Sequence, residues 1–555
     1  MEDERSRSIL QLMVKEGLVP SPEEEEKRKN VVEQLKKIVM AWVKRVAWQR
    51  LLPRQDIAAT SATVLTYGSY ALGVHGPESD IDALCIGPYF ATMAEDFFVV
   101  LYSMLKSRPE VSEIHCVQDA KVPLMRFKFD GISMDLPYTR LKVLAVTENV
   151  DIFNPFFLSD IGETGWKSLS GVRANKRICQ LVPNLEKFQS MLRCVKLWAK
   201  RRGVYGNLNG FLGGVHLAIL AAFVCQCDPN ASLSALISNF FKTFALWPWP
   251  TPVVLRDGMS QHTINPTETQ LFMPIRLPCN PYEYCRCNIT KNTFYKIRAE
   301  LLRGHNLTKD LLKSDFDNIL EPFPYTQTYT RFVKIFVSAS KQDELGDWVG
   351  WIKSRFRCLI LKLEEVQGLC DPNPAEYIDL DVAEPNVVFY WGLQPGKTNV
   401  IDIESLREDF WRNISNGYQG LLRRMELSIV QASQLAKYAQ FDTLSRKGTK
   451  ASWKMSDCNQ QRIPIYSQHL PHYVVGYLST NGDSEYRSAG DAPLKFKTQS
   501  MAAALDNELT QQTYNARCHK RKIMDNFITS IKCKFLASNP LLLISETEAA
   551  GVAKK

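Results

Sequence analysis

Two aspartates, Asp80 and Asp82, interrupt an apolar run a short distance after a Gly-Ser pair, Gly68-Ser69, in the stretch YGSYALGVHGPESDIDALCIGP from Tyr67 to Pro88. Side chains on a strand alternate with period two, so the acids on either side of Ile81 face the same way. Two carboxylates on one face repel each other and lose solvation, and they call for a cation between them. Gly68 and Ser69 read as a tight turn that opens a helix, whose free N–H groups attract phosphate. Metal-binding carboxylates beside a phosphate cradle point to phosphoryl or nucleotidyl transfer. A solvated surface turn accounts for either half alone, but not for both acids inside an apolar run.

The elements around these residues supply a third acid. Residues 63–66 read as a short strand entering the turn, residues 69–74 as a brief helix, and residues 80–86 as the strand that starts with the acids. An amphipathic helix over residues 95–106 follows. The sequence VPLMRFKFDGISMDLPYTR, residues 122–140, is then a hairpin pattern, with Asp130-Gly131 as its two-residue turn. Asp130 is therefore a turn residue. In the second arm Ile132 and Met134 face one way and Ser133 and Asp135 the other, so Asp135 can join Asp80 and Asp82 from a neighbouring strand. Three converging carboxylates suit two Mg²⁺ ions.

Bulk properties set the frame. The chain has 555 residues, room for about three domains. Its net charge of +9 allows an anionic partner without demanding one. Its 14 cysteines show no zinc-like pairing: Cys225/Cys227 and Cys285/Cys287 are C-x-C, and buried free thiols in a reducing compartment are expected. No signal-peptide core opens the sequence, and the uncharged run over residues 211–227 is short for a bilayer and contains His216, so a buried helix is expected there and no membrane association. The protein is expected to be soluble and intracellular.

Away from the acids, residues 1–20 read as a loose polar segment. Ser21-Pro22 followed by Glu23 to Glu26 is a helix start, and Val31, Leu35, Ile38, Val39, Trp42 and Val46 recur at helical spacing up to about Leu52-Pro53. From about Gly165 the pattern is helical. The helix over residues 185–202 turns Leu192, Val195, Trp198 and Ala199 inward. Lys196 lies at the margin of that face, where snorkelling is the plain structural explanation. Lys200, Arg201 and Arg202 suit the helix C-terminus. A Gly-Gly pair, Gly213-Gly214, then enters the buried helix, which fits either close approach to a ligand or tight packing. Trp247-Pro248-Trp249-Pro250 closes the region, and a helix is expected over residues 290–303. A further unit starts near Pro324: a strand over 329–339, a long helix over 343–364, a strand over 386–393 and a helix over 403–417, which suggests a ferredoxin-like or RRM-like unit. Beyond about Tyr438 the periodicity decays, and the composition reads as a mostly disordered tail. His519-Lys520-Arg521-Lys522 within it is a short basic cluster.

The spacing of Gly-Ser and Asp-x-Asp resembles the signature of the DNA polymerase β-like nucleotidyltransferases. The longer pieces YGSYALGVHGPESDIDALCIGP, FDGISMDL, LVPNLEKFQSMLRCVKLWAKRRGVYGN, GFLGGVHLAIL, WPWPTPVVL, LFMPI and WVGWIKSR resemble eukaryotic, plant-like poly(A) polymerases of the nuclear type, from about Glu23 to about Leu435. The resemblance implies template-independent addition of AMP from ATP to an RNA 3′-OH by a two-metal mechanism, with Mg²⁺, or Mn²⁺ in its place. It implies that Asp80, Asp82 and Asp135 are the catalytic, metal-binding aspartates. Tyr67, Gly68, Ser69, Gly76 and Ile81 are implied at the nucleotide, Lys196 and Tyr205 at the triphosphate, Asn207 near the nucleoside, and Gly214 and Val215 at the adenosine. It further implies an RNA-binding role for the RRM-like unit, which lacks an RNP aromatic signature. The implied partners are the RNA 3′ end and proteins of the cleavage and polyadenylation complex. A monomer in the nucleus is expected, with the cytoplasm as the alternative because no bipartite nuclear signal is evident.

The chain departs from the family pattern in four places. Ala71 stands where Arg is usual, Gly76-Pro77 replaces a Thr/Lys-Gly stretch, Lys121 replaces an aromatic near the RNA primer, and Ser170 replaces the Asn of S-L-N-G. Lysine at 121 exchanges stacking for attraction to phosphate. The expected architecture is α+β and multidomain. It comprises a flexible segment 1–20, a helix 21–52 packed on the central domain, a nucleotidyltransferase domain 53–164 and a helical central domain 165–323, followed by an RRM-like domain 324–437 and the tail 438–555. Two rival functions fit less of the pattern: an RNA terminal nucleotidyltransferase with another base choice, such as a uridylyltransferase, and a catalytically silent RNA-binding subunit.

Overall fold

The computed structural model of the chain describes residues 2–118, 120–158, 161–256, 271–279, 283–309, 316–394, 402–418 and 420–435. The tail 438–555 and its basic cluster lie outside the described residues.

The acids sit on a five-stranded mixed sheet ordered β1-β2-β5-β4-β3, built from β1 (Thr63–Tyr67), β2 (Ile81–Gly87), β3 (Val111–Val117), β4 (Leu124–Phe129) and β5 (Ile132–Arg140). Alternation along the strands splits each into two faces. Ile81, Ala83 and Cys85 of β2 and Met134, Leu136 and Tyr138 of β5 pack into one core, while Leu84 and Ile86 enter another on the opposite face. The second face carries the acids. β4 and β5 form the expected hairpin, and Asp130 and Gly131 have φ of +48° and +79°, the left-handed pair that a two-residue turn requires.

Two readings of the N-terminal region are corrected. Residues 1–20 are not a loose segment: α1 (Glu2–Lys15) is a helix, and Ile9 and Met13, one turn apart, are buried in the core of the central domain. One narrow apolar stripe suffices to dock a helix whose average composition is polar. α2 (Pro22–Gln49) starts where expected, with Ser21 and Glu24 closing a reciprocal capping box, but its apolar stripe packs on this five-stranded sheet and not on the central domain. Val31, Leu35, Ile38, Val39, Trp42 and Val46 share one core with Ile81, Phe127 and Leu136. The rings of Trp42 and Tyr138 meet edge to face at 5.8 Å. The apolar stripe shows that α2 must be buried, but only the folded chain shows against what.

Between the strands lie the short helices α3 (Arg54–Ala59) and α4 (Gly68–Ala71), and α5 (Tyr102–Lys106) is preceded by a π-helix over Met93–Leu101. The expected α-helix over 95–106 is thus widened in its first part, where the Asp96 carboxylate accepts from Thr92 and Arg50 and the Asp96 carbonyl accepts from Trp42 Nε1. Short α6 (Pro155–Leu158) leads into α7 (Gly162–Leu181), α8 (Leu185–Arg201), α9 (Gly214–Cys227), α10 (Leu233–Ala245) and α11 (Lys291–Thr308). These five long helices surround a core in which Trp198, Phe240 and Phe241 stack edge to face. α9 is buried as its composition demands, and His216 within it accepts at Nδ1 from the Gly213 N–H at 3.0 Å. Burial pushes that imidazole down to about 4, so it serves the helix start as a neutral acceptor.

After α12 (Phe316–Ile319) and α13 (Tyr325–Thr328) comes a second sheet, ordered β7-β8-β6-β9. Its strands are β6 (Arg331–Ser338), β7 (Cys370–Asp371), β8 (Asn386–Leu393) and β9 (Arg424–Gln431), all antiparallel to their neighbours. The single helix expected over residues 343–364 is two, α14 (Gln342–Lys353) and α15 (Phe356–Gln367). The chain turns at Ser354-Arg355, which lets both Trp348 and Phe356 reach the core under the sheet. α16 (Ile403–Ser415) completes the β-α-β-β-α-β order, with α14 and α15 together in the first crossover. Among the described residues no helix is long and apolar enough to cross a membrane.

Candidate active site

Asp82 on β2 and Asp135 on β5 are register partners in a parallel strand pair, so their carboxylates stand side by side. Asp80 lies just before β2 begins. One carboxylate oxygen from each of the three falls within 4.8 Å of the others, the convergence expected from the hairpin. Burial, then repulsion by Asp80 and Asp135, pushes the Asp82 carboxyl up to about 7. A divalent cation resolves such a cluster, and three carboxylate oxygens are the hard donors that Mg²⁺ or Mn²⁺ takes, so these residues fit a metal site.

The Gly-Ser turn is built against the same acids. Gly68 has φ +67°, and a Cβ there would lie 1.9 Å from Asp82 Oδ2. Only glycine allows both the left-handed turn and the close approach to the carboxylate. The Gly68 carbonyl accepts from Asn175 Nδ2 of α7 at 2.8 Å, which fixes the turn from a helix far along the chain. Tyr67 pairs with Asp82 across β1 and β2, and burial followed by the charges of Asp82, Asp135 and Asp80 raises its hydroxyl. Ser69 lies within α4.

The cations come from α8. Burial, then repulsion by Lys200, brings the Lys196 ammonium down to about 8, while Asp80 and Asp82 oppose the shift. Tyr205 is raised by burial and then by Asp80 and Asp82. Lys200 lies 5.7 Å from the centre of the Tyr205 ring, so this lysine, which the helix dipole alone explains, also borders the site. A Cβ on Gly214 would stand 3.4 Å from the Tyr205 hydroxyl, and Gly213 backs onto Asn207. Asn207 and the Gly213-Gly214 pair thus lie beside Tyr205, and Val215, next along α9, is exposed.

Gly76 is tied differently. Its N–H donates to Ser79 Oγ at 2.9 Å, and the Pro77 carbonyl accepts from Arg28 Nη2 of α2 at 2.6 Å. The loop leading to Asp80 is therefore clamped by α2. Lys121 stands exposed between β3 and β4, outside these contacts. Ser170 Oγ donates to the Lys167 carbonyl within α7.

Three contributors escaped sequence reasoning: Arg28, Asn175 and Arg126. Arg126 Nε and Nη2 donate to Asp135 Oδ1 and Oδ2 at 2.7 and 2.9 Å. The hairpin held the signal, because counting outward from Asp130-Gly131 pairs Arg126 with Asp135. Arg28 and Asn175 reach the site across long sequence separations and gave no local sign.

The family model of the poly(A) polymerase nucleotidyltransferase domain matches residues 1–182, and that of the poly(A) polymerase central domain matches residues 187–322. Nuclear poly(A) polymerase 3 of Arabidopsis thaliana is 61% identical over 482 residues, covering 86% of this chain and 94% of the relative. The chain belongs to the nuclear poly(A) polymerases. This polymerase is also 38% identical to nuclear poly(A) polymerase 4 of the same plant, over 70% of this chain and 54% of that one. It is 38% identical to the poly(A) polymerase of Dictyostelium discoideum, over 65% and 45% respectively. The chain therefore spans about half the length of these two relatives and nearly all of the first. Its activity is template-independent adenylyl transfer to RNA, with use of a nucleotide and a divalent metal.

Proposed function

We propose that Asp80, Asp82 and Asp135 hold two Mg²⁺ ions, with Mn²⁺ able to replace them, and that ATP lies between these acids and the Lys196–Tyr205 side of α8. The observation that carries this reading is that two acids on neighbouring strands, a third just before one of them, a left-handed glycine turn and a partly buried lysine meet in one place. When bound, the metals would supply charge neutralisation for the RNA 3′-oxygen and for the departing pyrophosphate. The chain's own residues do the rest. Gly68 keeps the turn close to Asp82, and Asn175 holds its carbonyl. Lys196 and Tyr205 orient and neutralise the terminal phosphates. Asn207, Gly214 and Val215 border the nucleoside, where the Gly-Gly helix start lets backbone approach the base.

Residues 324–437 are proposed as an RRM-like RNA-binding domain, on the strength of the β-α-β-β-α-β order and the strand order β7-β8-β6-β9. In such modules aromatic side chains on the open sheet face stack on bases. Here Phe332, Phe336 and Tyr390 on that face are buried under Tyr325, Tyr329 and Tyr377, so the RNA contacts are proposed to come from outside it. Exposed Lys121 is proposed as a phosphate contact near the primer. The enzyme is proposed to act as a monomer in the nucleus, recruited by cleavage and polyadenylation proteins.

The deciding experiment incubates the protein with labelled RNA and each nucleoside triphosphate separately, in Mg²⁺ and in Mn²⁺, beside an Asp82→Asn variant. ATP alone should support long extension. Asp82→Asn should lose at least about a thousandfold in elongation, since the charge stabilisation at such sites is worth several kcal/mol, while RNA binding survives. Retained elongation by Asp82→Asn would sink the site assignment, and equal use of UTP the base assignment.

A further inference from the structure

The three acids of the site are not held alike. Asp82 and Asp135 are fixed by the ladder between β2 and β5, where they are register partners. Asp80 lacks that support: it lies just before β2 begins and is exposed. A side chain outside the ladder stands where its loop puts it, so whatever fixes residues 76–79 also fixes the first acid. Those residues form a tight turn. The Ser79 N–H donates to the Gly76 carbonyl at 3.1 Å, Ser79 Oγ accepts from the Gly76 N–H, and Pro77 fills the second position, whose φ its ring presets.

The turn is anchored from behind by Arg28 of α2. Its Nη2 donates to the Pro77 carbonyl at 2.6 Å and reaches the Gly76 carbonyl at 3.5 Å. Arg28 is 3% exposed, and its Nη1 is buried without a partner. Burial lowers the guanidinium from its ordinary range, while Tyr70, Glu25, Glu24 and Asp80 favour its charge. A buried cation costs free energy unless it is well paired, yet this one spends its contacts on loop carbonyls. Earlier carbonyls of the same segment are taken from other helices: that of Gly68 by Asn175, and that of Leu72 by Gln189 Nε2 of α8 at 3.1 Å. Arg28 takes those of the turn that leads into Asp80.

We propose that Arg28 is a positioning residue for adenylyl transfer: by holding the Gly76–Ser79 turn it sets the Asp80 carboxylate beside Asp82 and Asp135, and so sets the affinity of the site for a divalent ion. In this role Arg28 meets neither metal nor substrate and acts through Asp80. The inference rests on the reading of Asp80, Asp82 and Asp135 as the metal site.

The test uses the full-length protein with Arg28→Met, Arg28→Lys, Ser79→Ala, Asp80→Asn and the double variant Arg28→Met/Asp80→Asn, their folding checked by circular dichroism and thermal midpoint. Mn²⁺ binding is measured without nucleotide or RNA, from the electron paramagnetic resonance of the free ion, which reads weak sites as well as tight ones. Arg28→Met should bind Mn²⁺ about tenfold more weakly, because the charge-assisted hydrogen bond that fixes one ligand is gone. Arg28→Lys keeps a cationic donor for the Pro77 carbonyl and should lose no more than about threefold. Ser79→Ala opens the same turn without disturbing α2, should weaken binding in the same direction, and carries the test if Arg28→Met does not fold. With Asp80→Asn already present, Arg28→Met should change Mn²⁺ binding by less than about twofold, since the ligand it positions has been removed. A merely structural arginine lowers affinity in both backgrounds. The elongation defect of Arg28→Met should shrink as Mn²⁺ is raised. If Asp80→Asn weakens Mn²⁺ binding while Arg28→Met and Ser79→Ala match the wild type, or if Arg28→Met lowers affinity equally in both backgrounds, the positioning role is wrong and the metal site stands. Undiminished Mn²⁺ binding by Asp80→Asn overturns both.

Discussion

At the scale of single residues, the site works by holding charges where they are costly. Lys196 is the clearest case. Burial and the neighbouring Lys200 bring it down to about 8, so its ammonium is only marginally held near neutral pH, and the triphosphate proposed to lie against it would restore it. The sign for stability follows. The unfolded chain binds that proton up to the ordinary lysine range and the folded chain only up to about 8, so stability from this group rises as pH climbs between those two values and is lowest below about 8. Equilibrium ATP binding should therefore weaken as pH passes through about 8, when the cation is lost. Lys196→Arg, which stays charged, should flatten that fall. Lys196→Met should bind ATP weakly at every pH, with a thermal midpoint at neutral pH equal to or above that of the wild type. A wild-type ATP affinity flat from pH 7 to 9.5 would contradict the role given to Lys196.

At the scale of elements, short-range patterns were legible and their docking partners were not. The capped start of α2, the turn at Asp130-Gly131 and the apolar face of α8 all follow from spacing alone and are found as read. Strand β3, whose residues are mostly partly exposed, and strand β9, with alternating Met425 and Leu427 in a charged stretch, gave too little alternation to stand out. α1 shows the same weakness. Ile9 and Met13 are 1% and 3% exposed, yet they sit in a segment of charged and polar neighbours. Ile9→Ala should cost about 2–5 kcal/mol, the range for emptying a packed aliphatic site, and lower the midpoint of thermal unfolding. Substitution of exposed Leu10 by Ala should do almost nothing. Equal effects of the two would return the segment to the loose state its composition suggests.

At the scale of the whole molecule, a buried ionic junction joins the helical region to the second sheet. Lys296 Nζ of α11 donates to both oxygens of Asp371 on β7 at 2.8 and 2.7 Å and to the Tyr325 hydroxyl, while the Tyr329 hydroxyl donates to Asp371 at 2.9 Å. Burial pushes the Asp371 carboxyl up, and Lys296 opposes it. Beside it, Arg202 and Glu300 form a second bidentate pair, and Arg202 caps the carbonyls of Glu321 and Pro322. Glu364 of α15 accepts from the Asn292 N–H at the start of α11. Removing one partner of such a pair strands the other charge away from water, so Lys296→Met should destabilise by about 3–5 kcal/mol. Lys296→Met combined with Asp371→Leu should recover part of that loss. The measurement is thermal unfolding with limited proteolysis near residues 323–331. A double variant no better than the single one would show that the junction holds by packing and not by charge.

The sequence by itself determined the chemistry. Asp80, Asp82 and Asp135 are set by strand alternation and by a two-residue turn, and both act over a few residues, where backbone geometry leaves little choice. The same local rules contained the pairing of Arg126 with Asp135. Tertiary structure decided everything that depends on which distant surfaces meet: α2 against the catalytic sheet, Asn175 on the Gly68 carbonyl, Arg28 on the loop before Asp80, and the tyrosines over the second sheet. An apolar stripe or an unpaired donor states only that a partner is required. Many surfaces in a long chain meet that requirement, and the choice among them is made by the packing of the whole.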